Sequence, residues 1–456
     1  MTSGMSIQER ARPASPGVMK RRVLPTTGGG AASPPPTLPL SHFAFALLWL
    51  AVASVMLPWV APHLARGNVF EPAVIALVHV LVLGTVGSAM AGALQQFVPG
   101  ALGVPLRSVR VGWFGLWLHQ AGVLSLVTGM IVWRGWIQGV GWLLVFGGVA
   151  CVSINVLRAR RRSVHGKHVA LFITVGHSAL GLGMAIGAAR IGETLGWWHL
   201  DRMSLIATHA LLGAAGFGTL TAMGVGSRMI PTFLGALGDD RRWLNAVLAS
   251  ITSGLAVFTI GARGGWTWGT HLGGALLALG GATCVTIATR WFRRRSRPMD
   301  ETAWHVAAAF AALCCAVMLG IQLLLGDPLI LTRWAALLVT VIVGWLVTLT
   351  VGVQSKIASH LGIPLYRRLF GEQFAPTPPD LRAARVIVLS LALQTSGWLS
   401  LAVALWLRSA TGARAGAAIW GLGAVTASAA PAWVLARAWR RARVSRAELH
   451  AQLVRR

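Results

Sequence analysis

Long apolar segments alternate with short polar loops along most of this chain. About twelve of them are long enough to cross a hydrocarbon core of ~30 Å, because a helix rises ~1.5 Å per residue. The sequence therefore predicts an all-α, polytopic membrane protein with about 12 transmembrane helices. The predicted spans are 43–62, 72–98, 112–133, 138–157, 168–189, 203–227, 243–262, 266–289, 304–325, 333–353, 385–407 and 416–437.

The charged residues follow the same alternation. The chain has 40 Lys and Arg against 12 Asp and Glu, a formal net charge of +28. Most of the basic residues, such as Arg160, Arg293 and Arg440, fall in the two tails and in every second loop. The positive-inside rule then predicts a multi-pass protein of the bacterial cytoplasmic (inner) membrane with both termini in the cytoplasm. The charge indicates topology, with anionic lipid headgroups as partners and no nucleic acid.

The ends of the chain differ from its middle. Residues 1–41 are rich in Pro, Ser, Gly and Arg and lack apolar periodicity, which predicts a disordered, basic cytoplasmic tail. Residues 42–440 are predicted to form the transmembrane domain, and residues 441–456 a second basic cytoplasmic tail.

The second, sixth and tenth predicted spans share a glycine motif. Two glycines eight residues apart are followed, seven residues later, by Pro in the first two copies and by Ser in the third. The copies are offset by 132 and 128 residues, which is four spans each time. This predicts four-helix units at about 42–157, 168–290 and 304–437 in a pseudo-threefold arrangement, although coincidence in a Gly-rich chain is the alternative. The motif residues are Gly84, Gly92 and Pro99, Gly216, Gly224 and Pro231, and Gly344, Gly352 and Ser359.

Histidine is the notable ionisable side chain inside the predicted spans. All twelve acidic residues are predicted to lie in loops or tails, so no carboxylate is expected within the membrane for proton or sodium coupling. His79 and His209 lie at similar depths in the second and sixth spans, and His119 and His177 lie nearer mid-membrane. A neutral imidazole in lipid needs a hydrogen-bond partner or a metal, and for a lone histidine the hydrogen bond is the simpler interpretation.

The repeat does not align His79 with His209. His79 corresponds instead to Leu211, two residues further along the sixth span. The two imidazoles are therefore expected to point in different directions, and they need not have the same role.

The chain resembles catalytic subunit I of the haem–copper oxidase superfamily in its twelve helices, its four-helix period and the histidines of helices 2 and 6. The stretch THALLGAAGFGTLTAMGVGSRMIP (208–231) is similar to the oxidase-like membrane proteins related to the NnrS nitric-oxide-response family. The resemblance implies haem b, with copper as a further metal, and an electron donor or a small gas as partner. It also implies a role in nitric oxide or oxygen-related metabolism or stress. By position, it makes His79 a candidate haem ligand and His209 a candidate metal ligand, with His119, His177, His209 or a Met as the second axial ligand.

The chain departs from the superfamily at several positions. Oxidases carry a His–His pair in helix 7 and two haem-ligating histidines in helix 10, whereas the spans 243–262 and 333–353 contain no histidine. A tyrosine in helix 6 is also missing. The chain is thus expected not to be a complete terminal oxidase and, if redox-active, to be a haem-dependent oxidoreductase.

Two other functions remain open. Gly-rich helices and an internal repeat also suit a transporter of a small or apolar solute. A cofactor-free scaffold that keeps an oxidase-like fold is the third hypothesis, because the histidines of helices 7 and 10 are missing.

Overall fold

The described part of the chain consists mainly of long apolar helices. The computed structural model describes residues 33–162, 166–236, 238–326, 330–370 and 377–454. Twelve helices in these segments are long and apolar enough to span a membrane, which confirms the prediction of an all-α polytopic protein. In chain order they are α1 (Thr37–Ala65), α2 (72–102), α3 (Val109–Ile131), α4 (Gly135–Arg162), α5 (Lys167–Thr194), α6 (202–234), α7 (Arg241–Gly264), α8 (Thr267–Arg293), α9 (Glu301–Leu325), α10 (331–370), α11 (Ala384–Trp406) and α12 (Ala410–Val454).

Most helices extend beyond their predicted apolar spans, and three of the extensions bear on the organisation of the chain. Helix α1 begins at Thr37, within the predicted tail, and α12 runs on to Val454; residues 1–32 of that first tail lie outside the described residues. Helix α10 continues past residue 362, the position where its repeat partners end, because it lacks their stop signal. Helices α2 and α6 end at Gly103 and Gly235, both with φ of +67°, a conformation that glycine adopts without strain. Ile363 holds the corresponding position in α10.

The glycine repeat is also a repeat of backbone conformation. Each of α2, α6 and α10 contains a π-helical segment: Val80–Gly87, Leu212–Thr219 and Thr340–Val347. These segments start 132 and 128 residues apart, the same offsets as the glycine motif. The first glycine of the motif is the fifth residue of each π segment. Short π segments inside α-helices frequently occur at functional sites.

The glycines of the motif bring neighbouring helices into close contact. A Cβ atom at Gly84 would lie 2.6 Å from Trp49 of α1, and one at Gly216 would lie 2.6 Å from Ala179 of α5. In the third unit, a Cβ atom at Gly344 would lie 2.9 Å from Ala312 of α9. The helix before each π-containing helix therefore packs on it in the same way in all three units.

The second half of each unit is a tight helical hairpin. Gly122 of α3, Gly254 of α7 and Gly397 of α11 lie directly against the backbone of α4, α8 and α12, respectively. Successive units then join through α4 and α5, through α8 and α9, and through α12 and α1, which closes the ring. The π segments of α2 and α6 each contact that of α10, so these three helices surround the central pseudo-threefold axis.

A buried tryptophan fills the centre of the bundle. Trp345 in the π segment of α10 is fully buried, and its indole Nε1–H donates to Thr219 Oγ1 of α6 at 3.1 Å. The ring of Phe310 from α9 lies 4.8 Å from the Trp345 ring, centroid to centroid. Trp345 therefore connects α10 with α6 and α9.

The acidic residues only partly follow the prediction that all of them lie in loops or tails. Glu193 and Glu301 lie in the terminal turns of α5 and α9. A helix end is compatible with a carboxylate because a basic side chain can reach it: Glu193 pairs with Arg190, and Arg382 Nε lies 2.9 Å from Glu301 Oε1.

Asp240 joins the loop before α7 to the end of α8. It accepts hydrogen bonds from Arg290, Trp291 and Arg294 at 3.1, 3.0 and 2.5 Å. Burial alone would raise the pKa of Asp240, but these hydrogen bonds outweigh it and hold the pKa below its ordinary value.

Asp300, just before α9, organises a second ionic cluster. Lys356 of α10 and Arg382 donate to Asp300 Oδ2 at 2.5 and 2.9 Å. Burial would raise the pKa of Asp300, but the hydrogen bonds from Lys356 and from the Ala303 N–H prevail and lower it. Lys356 thus has an anionic partner in the folded protein, in addition to marking topology.

Candidate histidine site

His79 and His209 face each other between α2 and α6. Their ring centroids are 6.1 Å apart, and the ring planes differ by 29°. The expectation that the two side chains point in different directions is wrong. Strictly equivalent residues of two units would be related by the pseudo-threefold rotation. His209 is instead two residues out of register with His79. This difference turns one side chain by roughly 200° about its helix, since each residue adds about 100°.

Backbone carbonyls fix the orientation of both rings. His79 Nδ1–H donates to the carbonyl of Ile75 at 2.8 Å, and His209 Nδ1–H donates to the carbonyl of Gly183 in α5, also at 2.8 Å. A carbonyl can only accept, so Nδ1 carries the proton and a neutral ring keeps its lone pair on Nε2. Neither Nε2 has a hydrogen-bond partner among the described residues. Both nitrogens are therefore available to a ligand.

Small residues leave room beside His209. Gly213 lies one helical turn after His209 on the same face of α6, and a Cβ atom there would meet nothing within 4 Å. A Cβ atom at Gly187 of α5 would lie 3.6 Å from the His209 ring and 3.9 Å from Trp142. The two glycines therefore leave space beside this imidazole.

The structure gives His119 a different role. This buried histidine of α3 has its Nε2 3.0 Å from the carbonyl of Leu83, in the π segment of α2. It therefore satisfies a backbone acceptor in the irregular segment, which is the simpler interpretation of an intramembrane histidine.

His177 also lies apart from the pair. Its Nδ1–H donates to the carbonyl of Ile173 in its own helix at 2.8 Å, and its ring packs edge-on against Phe217 at 5.6 Å. It faces the π segment of α6 from α5. Of the four candidate histidines, only His79 and His209 have rings that pack together.

The pair is not part of a larger cluster of protein ligands. No group of three or more His, Cys, Asp or Glu side chains that could hold a metal ion is present within the described part of the chain. Two imidazoles alone suit a metal that brings its own equatorial ligands, which is how haem iron is held by axial side chains.

Sequence reasoning missed the polar contacts that support this region. Trp142 Nε1–H donates to the carbonyl of Met184 at 2.9 Å, one residue from the carbonyl that holds His209. In the first unit, Gln120 accepts from Trp49 Nε1 at 2.8 Å and donates to Ser88 Oγ at 2.9 Å. A glutamine and a serine inside apolar spans were the available signal, but their partners are distant in sequence.

Comparison with known proteins gives a match to part of the chain. No family model matches the chain. A stretch of 121 residues is 31% identical to the fluoride-specific ion channel FluC 1 of Symbiobacterium thermophilum, and the match covers 25% of this chain and 89% of that protein. On identity and coverage, that quarter of the chain groups with the fluoride-channel family. The match does not describe the other three quarters.

Proposed function

We propose that this protein is an integral membrane haem-binding protein of the oxidase subunit I-like class, with His79 and His209 as the two axial ligands. The single observation that carries the proposal is the facing pair of imidazoles, each with Nδ1 hydrogen-bonded to a carbonyl and Nε2 free. The absence of histidine from α7 and from residues 333–353 of α10 leaves it without the remaining ligands of a complete terminal oxidase.

The distance between the rings supports this assignment. With metal–nitrogen bonds of about 2.0 Å, imidazoles on opposite sides of one metal have ring centres roughly 6 Å apart. The observed separation is 6.1 Å. A haem b is favoured over a covalently attached haem, because none of the four cysteines belongs to a C-x-x-C-H motif.

The residues of this chain would orient the ligands and exclude water. The carbonyls of Ile75 and Gly183 fix the tautomer and the angle of each ring, as outer hydrogen bonds to metal-ligating histidines generally do. A haem held by these two histidines would supply one-electron redox chemistry. Apolar helices around the pair would keep the dielectric low, which tunes the redox potential.

The same proposal includes the topology. With both termini in the cytoplasm of a bacterial inner-membrane protein, the ends of α2 and α6 that carry His79 and His209 lie toward the periplasmic side. Reporter fusions at the loops after α4 and α6 test this: both should report the cytoplasm. A periplasmic report from either loop would contradict the orientation.

The first experiment is a reduced-minus-oxidised optical spectrum of the purified full-length protein, with iron and copper assayed on the same sample. We expect haem bands and about one iron per chain. His79→Ala and His209→Ala should each abolish the bands. His271→Ala is the matched control, because His271 is an exposed histidine of α8, and it should keep them. A featureless wild-type spectrum after expression in a haem-sufficient host would overturn the proposal.

A second candidate function rests on the partial match to the fluoride-specific ion channel. It assigns ion conduction to the protein, in line with the transporter hypothesis. Fluoride efflux from proteoliposomes, followed with a fluoride electrode, is the direct test. Efflux well above that of empty liposomes, in a protein that binds no haem, would favour this function over the first.

A further inference from the structure

A cavity lies on the pseudo-threefold axis, at the end of the central helices away from the histidine pair. Its volume is about 70 Å³. Its walls come from α2, α6 and α10 at positions that correspond in the repeat, so all three helices contribute at each level. The levels are Ala89, Thr221 and Leu349; Met90, Ala222 and Thr350; and Ala93, Val225 and Val353.

A larger cavity of about 210 Å³ adjoins it between α1, α10, α11 and α12. Gly362, Leu365 and Tyr366 of α10 line it. Gly362 lies at the position where the repeat partners of α10 end, and Leu365 and Tyr366 lie beyond that position. The cavity is therefore specific to the third unit. Phe43 and Gln354 line both cavities, so the two spaces meet at these side chains.

The walls of the axial cavity are mostly apolar. Charged side chains are absent from the residues that line it. Of its polar side chains, Thr350 already donates its hydroxyl proton to the carbonyl of Leu346 at 2.6 Å. Thr221 Oγ1 and Gln354 Oε1 are buried and have no hydrogen-bond partner among the described residues. A stable buried water needs two to four polar partners, whereas apolar cavities stay dry and bind small apolar molecules or xenon.

We propose that the two cavities form one route by which small, uncharged, apolar molecules of the size of a gas reach the axis of the protein. Phe43, which is 3% exposed, forms the constriction together with the side-chain amide of Gln354. No residue of the three π segments lines either cavity, so the axial cavity is a binding site rather than a continuous pore. The proposal rests on the cavities alone and stands independently of haem.

Xenon is the probe for this site. We expect crystals of the full-length protein under xenon pressure to show xenon in the axial cavity. The double variant Ala93→Val, Ala222→Met should lose it, because the added side chains fill the space. Both replacements occur naturally at corresponding positions, as Val225 and Met90, so the helices accommodate these residue types. Ala282→Met, at an exposed position of α8, is the matched control and should keep the xenon.

The constriction is tested separately by xenon NMR in detergent. Phe43→Ala should speed the exchange of xenon between solvent and the axial site, while His79→Ala should leave xenon binding unchanged. An empty axial cavity in the wild-type protein would overturn the proposal. Equal xenon occupancy in the filled variant and the wild type, with unchanged thermal midpoints, would overturn it as well.

Discussion

Helices α2 and α6 differ from α10 in side chains but hardly in packing. All three have the π segment, with a glycine as its fifth residue and a close neighbour from the preceding helix. Only α2 and α6 carry a histidine just before that segment. In α10 the positions that correspond to His79 and His209 are Val339 and Leu337. Features shared by the three units therefore belong to the architecture, and features confined to one or two units are the candidates for function.

The opposite end of α10 shows the reverse difference. Here the third unit has the additional features: a longer helix, a lysine paired with Asp300 and a cavity of its own. Arg228 of α6, which corresponds to Lys356, is exposed and forms no ion pair among the described residues. The two ends of the bundle are thus specialised in different units.

The largest expected effect tests the shared architecture. Gly84→Ala, Gly216→Ala and Gly344→Ala should each destabilise the protein by about 1–3 kcal/mol, because the new Cβ atom overlaps side-chain atoms close to the facing backbone. Thermal unfolding in detergent, followed by gel filtration, measures this. Gly181→Ala is the control, because a Cβ atom there meets nothing within 4 Å, and it should not destabilise. If alanine were tolerated in only one of the three units, the three glycine positions would not be equivalent.

The next effect concerns the paired lysine. Lys356→Met removes one partner of the partly buried Asp300 and should lower stability by about 1–3 kcal/mol. Arg228→Met, the corresponding change in α6, should stay within about 0.5 kcal/mol of wild type. Thermal midpoints of the two variants measured side by side check this, and similar losses for both would contradict the specialisation of the third unit.

A smaller effect separates the structural histidine from the others. His119→Phe leaves the carbonyl of Leu83 without its side-chain donor and should reduce stability by about 1 kcal/mol. His177→Phe should reduce it less, because His177 donates to a carbonyl of its own helix. Chemical denaturation of both variants distinguishes them; a larger loss for His177→Phe would reverse the assignment.

The smallest effect is a dependence of stability on pH. The pKa values of Asp240 and Asp300 are lowered in the folded protein, so both carboxylates stabilise the fold at neutral pH. This contribution is complete above the ordinary Asp value of 3.8 and disappears as the pH falls through the lowered values. Thermal midpoints should therefore fall steeply in acid. Asp240→Asn should reduce that slope, and an unchanged slope would argue against its role.

Much of the fold could be predicted from the sequence, because the length of an apolar segment depends only on residues that are neighbours in the sequence. The predicted span 243–262 lies within Arg241–Gly264, and 385–407 nearly coincides with Ala384–Trp406. The end of α10 could not be predicted in this way, because a helix continues wherever its backbone hydrogen bonds continue, regardless of the end of the apolar run.

The site was only half predictable. His79 and His209 stand out as imidazoles in apolar spans, at similar depths. The alignment of the repeat predicted that the side chains of His79 and His209 point in different directions. The alignment compares positions along each helix and does not include the rotation that relates one unit to the next. The hydrogen bond from His209 to Gly183 joins two helices, and such a pairing across 26 residues has no signature in the sequence.

The sequence by itself determined the medium, the number of helices, the repeat and the identity of the intramembrane histidines, because hydrophobicity and glycine spacing act over one or two helical turns. Only the tertiary structure decided that His79 faces His209, that His119 serves a backbone carbonyl, and that three helices enclose a cavity on their axis. These outcomes depend on how helices distant in sequence rotate against one another, which is fixed by packing in all three units together.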